Sequence, residues 1–356
     1  MTQQRLDSID VFRGLTVAAM LLVNNAGDWS HVYPWLEHAS WNGCTLADFI
    51  FPFFLVIVGV SMELAYAPKM SQGIPREVLF KSAWHRSLKI IALGIVLHII
   101  AMVLIPDRHF RLFGVLQRIG ICFGVVAAAV LFLSTTRRLM MLIVAILIGY
   151  GLLIHFGGGY DPHLNLADRV DTAILGPWAY QYDPLSFRAQ EPEGILTTIP
   201  ALTNVLLGVL GARLLRERRM NVLLWCACGM ILMGFLSQSV IPWNKQLWTS
   251  SFVIWTCGWA YVLIAVFHVA IDLWRVPAIG VSFGRNAIIA YAAAWIATCL
   301  LAATNAMNLF YPEVFAGGLG PIFGLEFASF AFAAVFTCLF GGLMYALRRL
   351  GIRVSL

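Results

Sequence analysis

The chain has 356 residues, of which 60% are hydrophobic and 12% are charged, and its mean hydropathy is +0.81. Soluble globular proteins carry about 25% charged residues, so this composition excludes an ordinary soluble enzyme. The net charge of +6 comes from 24 Lys and Arg against 18 Asp and Glu. The seven cysteines include no Cys-x-x-Cys pair, so neither a disulfide framework nor a metal site is predicted.

Apolar segments of membrane-spanning length follow one another along the chain. Each is close to the roughly 20 residues that a helix needs to cross a hydrocarbon layer about 30 Å thick. They lack the alternating pattern of an outer-membrane β-barrel, so the predicted fold is an all-α, polytopic integral membrane protein. One domain, residues 1–356, with about ten transmembrane helices is expected. The predicted segments are 11–28, 46–66, 84–105, 113–134, 138–156, 194–215, 220–238, 248–271, 284–303 and 322–347.

Positive charge falls mainly on one side of this topology. With the N-terminus inside, 18 of the 24 Lys and Arg lie on the cytoplasmic side, which predicts that both termini are cytoplasmic. Topology and anionic lipid therefore explain the net charge, and no nucleic-acid partner is needed. No Asn-x-Ser/Thr sequon occurs, which favours a bacterial inner (plasma) membrane.

Two outward-facing connections, at about 28–45 and 157–193, are rich in polar and aromatic residues. Connections of this length are commonly functional or disordered. Several Trp and Tyr, together with turn-forming Asp-Pro and Gly-Gly steps, predict that these two are ordered caps at the membrane interface.

The first of these loops holds the strongest candidate site. His38 and Asn42 lie in the loop, Asp48 opens the second helix, and Asn24 closes the first helix at the same level. We predict that these four residues meet at one outward-facing pocket, where a neutral imidazole can act as a base near pH 7. The same pattern fits a loop histidine at the headgroup level and an aspartate that only caps a helix.

Several polar side chains lie inside the apolar segments, where ionisable groups are functional candidates by default. Arg118, beside Gln117, needs a carboxylate partner such as Asp48 or Glu193, or else its side chain snorkels to the interface. Glu193 opens the sixth segment, where the helix dipole favours a carboxylate. We expect Glu63, near a cytoplasmic helix end, to reach interfacial water.

Stretches in both halves of the chain together resemble the heparan-α-glucosaminide N-acetyltransferase family of transmembrane acyltransferases. The resemblance covers nearly the whole chain, and HASWNG is its most specific element. The first three stretches are RLDSIDVFRGLTVAAMLLVNN at 5–25, HASWNGCTLADFIFPFFLVIVG at 38–59 and FGVLQRIGI at 113–121. The later three, in the same order as in the family, are EPEGILTTIPALTNVLLG at 191–208, IPWNKQLWTSSFV at 241–253 and GRNAIIAY at 284–291.

The resemblance implies an acetyl-CoA-dependent acetyltransferase. In the family, the histidine of the HASWNG block is the active-site residue, which corresponds to His38, and Asn24 corresponds to the asparagine that ends the preceding helix. Acetyl would pass from cytoplasmic acetyl-CoA to an amino sugar or glycan at the outer face, with no metal. His38 would act as base or as acetyl carrier, Asn24 would stabilise the oxyanion, and Asp48 would orient His38.

Further site residues are predicted from their placement. For the acceptor they are Asn42, Trp41, Gln117, Arg118 and Glu193, and for the donor phosphates Arg13, Arg86, Arg285 and Asn286. The tryptophans also fit an interfacial aromatic belt, and lipid binding explains the arginines about equally well.

The alternative function is transport of N-acetylglucosamine or a related sugar, which compact bacterial relatives are also said to perform. The sequence shows no inverted repeat and no paired helices broken in mid-membrane, and its polar cluster lies at one face. These features favour the enzyme. Membrane lipids are expected partners, and the dimers common in the family leave a homodimer open.

Overall fold

The computed structural model describes residues 6–352. Arg5 and Arg353, two of the predicted cytoplasmic charges, lie outside these residues. The helices are α1 Asp7–Asn24, α2 Leu46–Ser71, α3 Arg76–Leu104, α4 Val115–Leu133, α5 Thr136–Phe156, α6 Leu166–Ile174, α7 Thr198–Arg216, α8 Met220–Ser237, α9 Ser250–Phe267, α10 Val281–Arg285, α11 Ala287–Ala303, α12 Ala306–Tyr311, α13 Gly317–Phe323 and α14 Leu325–Arg349. The strands are β1 Gln181–Asp183 and β2 Arg188–Gln190. π-helical segments extend α9 over His268–Leu273 and join α12 to α13 over Pro312–Ala316.

Eight helices within residues 6–352 are long and apolar enough to cross a membrane, namely α2, α3, α4, α5, α7, α8, α9 with its π-helical end, and α14. A ninth span results if α11 is taken together with Ala306–Phe323, from which a 79° bend separates it. α1 has 18 residues and includes three charged ones, Asp7, Asp10 and Arg13. The predicted all-α membrane class is confirmed, whereas the count of ten and the cytoplasmic termini stay predictions.

The helices divide into an inner and an outer set. Two-thirds of the apolar window of α4 and of α7 is buried (67%), against 17% for α8 and α14. The main core cluster is built from α2, α3, α4, α7 and α9. Side chains of α2, α4 and α7 are therefore held in the most closely packed part of the bundle.

Glycines allow α2 and α7 to pack backbone against backbone. A Cβ added at Gly59 would lie 1.9 Å from the carbonyl oxygen of Val205, and one added at Gly208 would lie 2.1 Å from that of Val56. Small residues at a crossing permit this close approach in membranes.

The end of the bundle that carries residues 25–45, 105–114, 157–197 and 238–249 is called the loop end here. Its segments are joined to one another, because Trp41 donates from Nε1 to the carbonyl of Tyr160 (2.7 Å) and Gly43 donates to that of Trp243 (2.7 Å). The 157–193 loop contains α6 and an antiparallel hairpin of β1 and β2. It is therefore structured, as predicted for an ordered cap.

The opposite end, called the arginine end, contains a buried ion pair that corrects one expectation. Glu63 is 2% exposed and does not reach interfacial water. Its carboxylate pairs with Arg216 (2.7 Å) and with Arg213 (3.3 Å), both from the last turn of α7. Two cations from a neighbouring helix thus replace the water that a carboxylate near a helix end would otherwise need.

One helix boundary also differs from the prediction in a way that matters for the site. α7 begins at Thr198, so Glu193 precedes the helix and is not in its first turn. A turn in which Gly194 donates to the carbonyl of Glu191 (2.9 Å) holds this segment. The helix dipole therefore does not explain the position of Glu193.

The α2–α7 crossing leads to a stability prediction. We expect Gly59→Ala to destabilise the protein by about 1–3 kcal/mol, because the added methyl group collides with backbone and not with a movable side chain. Gly149→Ala in α5 is the matched control, since a Cβ there meets nothing within 4 Å. Thermal unfolding in detergent measures both. Equal melting temperatures for the two variants would show that the crossing is not tightly packed.

Candidate active site

His38 and Asp48 form a hydrogen-bonded pair at the loop end. The distance from His38 Nδ1 to Asp48 Oδ1 is 2.8 Å, and the imidazole is 43% exposed whereas the carboxylate is completely buried. A carboxylate can only accept, so Nδ1 carries the proton and Nε2 presents a lone pair. This tautomer is the one that a general base requires.

The second oxygen of Asp48 caps helix α2. Asp48 Oδ2 accepts hydrogen bonds from the backbone N–H of Thr45 (3.0 Å) and of Ala39 (3.1 Å). A carboxylate that reaches back to the residue preceding the helix satisfies donors left over at the helix start. Both interpretations of the sequence therefore apply, since one carboxylate caps the helix and orients His38.

Lys245 is a site residue that the sequence analysis missed. Its Nζ lies 3.0 Å from each ring nitrogen of His38 and 3.6 Å from Asp48 Oδ1. Burial lowers the pKa of Lys245, while the negative charges of Asp48 and Glu193 oppose that shift. Its position in the family-like IPWNKQLW block could have identified Lys245 from the sequence. A lysine in an outward-facing loop, however, resembles any other charged loop residue of a membrane protein.

The turn that carries Lys245 is fixed from both sides. Asn244 donates from Nδ2 to Asn42 Oδ1 (3.1 Å) and accepts from Leu247 N–H (2.8 Å). Trp248 is completely buried at φ 52°, a left-handed conformation that is uncommon for a residue other than glycine, and its Nε1 donates to Asn204 Oδ1 (2.9 Å). Asn42 thus joins the site through Asn244, which holds the backbone next to Lys245.

The predicted four-residue pocket is only partly assembled. The structure brings His38 and Asp48 into contact and connects Asn42 to Asn244 beside Lys245. Asn24 is the last residue of α1, as expected, but its side chain is exposed and makes no hydrogen bond with any residue of the described part of the chain. The neighbouring Asn25 accepts from Thr298 instead.

Arg118 is completely buried, which excludes snorkelling. Its Nη2 donates to the carbonyl of Pro192 (2.9 Å) and to the hydroxyl of Thr197, and its guanidinium lies 4.8 Å from the ring centroid of Trp248. Within residues 6–352 neither expected carboxylate lies within 4.0 Å of it. Hydrogen bonds to these two oxygens and a cation–π contact with Trp248 stabilise the guanidinium in place of a salt bridge. Both oxygens belong to the 192–197 turn.

Glu193 pairs with Arg111, which binds two carboxylates. The Arg111 guanidinium contacts both Glu193 and Glu191, including a 3.0 Å bond from Nε to Glu191 Oε2. Burial opposes ionisation of Glu193, but the charges of Arg111, Arg118 and Lys245 outweigh it and lower its pKa. Glu193 therefore stays an anion within electrostatic range of the lysine at the site.

Gln117 is buried, and its hydrogen-bond partners are not at the His38–Asp48 pair. Its Nε2 donates to the carbonyl of Leu112 (3.1 Å) and lies 3.4 Å from His98 Nδ1, which also contacts the carbonyl of Arg111 (2.7 Å). This network ties the start of α4 to α3. It places Gln117 in support of the Arg111 segment.

Asp171 in α6 packs against the turn that contains Glu193. Its Oδ1 accepts from Ile195 N–H (3.0 Å), and a Cβ added at Gly194 would lie 1.9 Å from its Oδ2. Burial raises the pKa of Asp171 to about 7, against the effect of that hydrogen bond, and the charges of Glu191 and Asp168 add to the rise. Asp171 joins the 157–193 loop to the segment that pairs with Arg111.

A cavity of about 1040 Å³ opens at the arginine end and extends through the bundle. This is at the upper end of the 300–1,000 Å³ typical of ligand pockets. Its walls are mainly apolar, and it reaches Phe51 and Val115, which lie near the loop-end starts of α2 and α4. The arginines lining its mouth are Arg13, Arg86, Arg216, Arg218 and Arg285.

Three of the four predicted donor-binding residues line this cavity. Arg13, Arg86 and Arg285 do so, but Asn286 is not among the lining residues; its side chain is 2% exposed and lies 3.5 Å from the carbonyl of Ile352. The predicted placement of Asn286 at the donor site is thus not supported, because its amide points toward the end of α14.

Among the residues described, neither His38 nor Lys245 lines the cavity. Phe51 lies three residues after Asp48 in α2, a rise of about 4.5 Å along the helix. Phe51, in the upper wall of the cavity, and Asp48, which is hydrogen-bonded to His38, are therefore about one helical turn apart.

Cys44, Ser8 and His268 carry side chains that could also take part in chemistry, but their surroundings do not favour it. Burial raises the pKa of the Cys44 thiol, which disfavours a thiolate beside Asp48. At the arginine end, Asp272 accepts from Ser8 and from His268, so His268 does not activate the serine as a base would. Residues 6–352 contain no group of three His, Cys, Asp or Glu placed to hold a metal ion.

Comparison with known proteins assigns this arrangement to a family. The family model described as "Heparan-alpha-glucosaminide N-acetyltransferase, catalytic" matches residues 5–243. The chain belongs to this family. The heparan-alpha-glucosaminide N-acetyltransferases of human and mouse are 30% and 28% identical to it, over 81% of this chain in both cases.

The chain spans about half the length of these curated relatives, 52% of the human protein and 53% of the mouse protein. His38, Asp48 and Glu193 lie inside the region that matches the acetyltransferase family. Lys245 follows its last matched residue by two positions. His38 and Asp48 thus belong to the family region, and Lys245 lies just beyond it.

The raised pKa of Asp171 predicts a pH dependence of stability. The folded state holds this proton up to about pH 7, whereas an unfolded aspartate loses it near 3.8. Folding stability therefore falls as pH rises between these values and stays lowered above them. We expect Asp171→Asn to melt at a higher temperature than wild type at pH 8 and to lose this advantage toward pH 4.5.

Asp161→Asn, an exposed aspartate of the same loop, is the control and should give no such pH-dependent difference. Thermal melts in detergent at several pH values provide the measurement. A constant gap between Asp171→Asn and wild type across this range would contradict a titrating Asp171.

Proposed function

We propose that the protein is a membrane-bound acetyltransferase that moves acetyl from acetyl-CoA, entering at the arginine end, to an amino sugar or glycan at the loop end. The observation that carries this proposal is the cavity, which runs from a basic mouth to within about one helical turn of the His38–Asp48 pair. The family membership supports the reaction class.

The cavity has the features that a coenzyme A thioester requires. Its arginine-lined mouth suits the charged nucleotide, which cannot enter hydrocarbon, and its apolar walls suit a pantetheine arm. Because the cavity reaches Phe51, an acetyl group bound at its upper end would lie near the helix turn that carries Asp48. This arrangement removes the need for the donor to cross the membrane.

His38 takes the proton of the attacking amine. Asp48 holds Nδ1–H, so Nε2 is the basic atom, and the buried carboxylate stabilises the imidazolium that forms. The neutral amine nitrogen attacks the thioester carbonyl, and His38 takes the nitrogen's proton as the C–N bond forms. The C–S bond then breaks, and the imidazolium returns the proton to the CoA thiolate. Direct attack uses only the groups present and needs no acetyl-histidine.

Lys245 stabilises the oxyanion of the tetrahedral intermediate. Its ammonium lies 3.0 Å from His38 Nε2, close to where the reacting amine must bind. The acceptor displaces it from Nε2, and Asp48 (3.6 Å) keeps it at the site. We assign this role to Lys245 and not to Asn24, because Lys245 contacts the base in the structure.

The acceptor approaches from the loop end, where His38 is exposed between the two caps. Asn42 and Trp41 lie in the same loop, and Trp41 is held by the Tyr160 carbonyl of the other cap. Arg118, Gln117 and Glu193 act from below as supports. In a bacterial inner membrane with both termini in the cytoplasm, this end would face the periplasm.

The deciding experiment measures release of free CoA from acetyl-CoA by purified protein, with and without glucosamine. We expect glucosamine-dependent release in wild type and a loss of about 10²-fold or more in His38→Ala, the size of a general-base contribution. Lys245→Gln should lose about 10²-fold in kcat with a smaller change in KM. His31→Ala is the control, since His31 pairs with Asp28 (2.7 Å) in the same loop.

Full turnover in His38→Ala would refute the assignment of the base. Absence of CoA release with every amine tried, together with saturable binding of N-acetylglucosamine, would favour the transporter. Equal losses in His31→Ala and His38→Ala would show that loop folding, and not chemistry, is being measured.

Sidedness is a separate prediction. In oriented vesicles, acetyl-CoA supplied only at the arginine end should support acetylation of an acceptor supplied only at the loop end, because the cavity opens at the arginine end. Protease cleavage of a tag at either terminus reports the orientation of each preparation. Activity with donor confined to the loop end would rule out the cavity as the donor path.

A further inference from the structure

The five arginines that line the cavity mouth fall into two electrostatic classes. Three already neutralise carboxylates: Arg13 contacts Asp10 (3.1 Å), Arg285 lies 3.6 Å from Asp7 and 3.8 Å from Asp10, and Arg216 contacts Glu63 (2.7 Å). The remaining two, Arg86 and Arg218, have no carboxylate within 4.0 Å in the part of the chain that the structure describes.

The paired arginines connect the helices of the bundle. Arg13 in α1 also donates to the carbonyl of Gly284 (3.0 Å) and to the hydroxyl of Ser61 (2.6 Å), which links α1 to α10 and α2. Arg216 belongs to the buried pair with Glu63 that joins α7 to α2. Carboxylates within the protein therefore already balance the positive charge of these paired arginines.

Arg86 brings an uncompensated cation to the cavity. It lies in the spanning helix α3, ten residues after its first residue Arg76, and its guanidinium carbon is 5.2 Å from the ring centroid of Phe123. Phe123 and Tyr66 line the same cavity. The Arg86 side chain is exposed, and since no carboxylate of residues 6–352 lies within 4.0 Å of it, its positive charge is available to an anion in the cavity.

Arg218 lies in the tight turn between α7 and α8. Its backbone adopts φ 56°, the left-handed region that a glycine or asparagine would occupy more readily, and its side chain is exposed at the cavity mouth. The next residue, Arg219, points elsewhere, because it pairs with Glu217 (3.7 Å) and does not line the cavity. The turn thus presents one of two adjacent arginines to the cavity.

We infer that Arg86 and Arg218 bind the phosphate groups of the nucleotide part of the donor, whereas Arg13, Arg216 and Arg285 shape the mouth without direct phosphate contact. The inference rests on the proposed function, since it concerns the donor of that reaction. Guanidinium groups pair with phosphate oxygens, and the two arginines that no nearby carboxylate neutralises keep their full positive charge for that pairing.

The test is a set of dissociation constants for CoA and for pantetheine, which lacks the nucleotide and its phosphates. They are measured by calorimetry on the purified full chain in a neutral detergent. We expect Arg86→Gln and Arg218→Gln each to weaken CoA binding about tenfold or more, the effect of losing charged hydrogen bonds. Pantetheine binding should be unchanged, and Arg86→Lys and Arg218→Lys should recover part of the CoA affinity.

Two neighbouring cations serve as matched controls. Lys89→Gln removes an exposed charge from the same helix as Arg86, and Arg219→Gln removes the charge next to Arg218; neither residue lines the cavity. CoA affinity in both should stay within about twofold of wild type, because exposed charges outside the site are screened by salt. Size-exclusion profiles and melting temperatures identify any variant that fails to fold.

Wild-type CoA affinity in Arg86→Gln and Arg218→Gln, with a loss in Arg13→Gln or Arg285→Gln, would overturn the inference and assign the phosphates to the paired arginines. Loss of phosphatidylglycerol binding in nanodiscs with CoA affinity unchanged would overturn it in favour of a lipid headgroup. If wild type binds neither CoA nor acetyl-CoA, the proposed function itself fails, which is a distinct result.

Discussion

The buried carboxylate of Asp48 is the group on which the loop end depends. One oxygen accepts from Thr45 and Ala39 and so starts α2 and closes the 28–45 loop onto it. The other orients His38 and attracts Lys245. A completely buried carboxylate is costly without partners, and here its partners are the helix start and the candidate catalytic groups. Local folding and assembly of the site therefore rely on the same bonds.

This position of Asp48 also addresses the physical difficulty of chemistry across a membrane. In the proposed reaction a charged nucleotide and a sugar acceptor would occupy opposite aqueous phases, with hydrocarbon about 30 Å thick between them. The cavity reaches Phe51 from the arginine end, and His38 is exposed at the loop end, where it pairs with Asp48 about one turn of α2 from Phe51. The ring of Phe51 packs edge-on against that of Trp248, with 5.2 Å between the ring centroids. Trp248 therefore contacts the residue at the upper end of the cavity and also anchors the turn that carries Lys245.

The fold class was predictable from the sequence because hydrocarbon imposes a length and a composition that leave few alternatives. The His38–Asp48 pair was predictable because both residues lie near one helix start, and the family resemblance singled out the histidine. Lys245 was not, since it is 207 residues from His38 and only tertiary packing brings the two together. The partners of Arg118 and Glu63 were assigned wrongly for the same reason, because sequence spacing does not reveal which oxygens or cations a neighbouring helix contributes.

A chain of charges extends from the outer cap to the site. Asp171 supports the turn at Gly194, the adjacent Glu193 pairs with Arg111, and the charge of Glu193 acts on Lys245. In a medium of low dielectric constant such charges influence one another over longer distances than in water. A change in the docking of the 157–193 loop would shift Glu193 and thereby alter the balance that keeps the Lys245 ammonium between His38 and Asp48. The cap is therefore an electrostatic part of the site, although only His38, Asp48 and Lys245 contact one another directly.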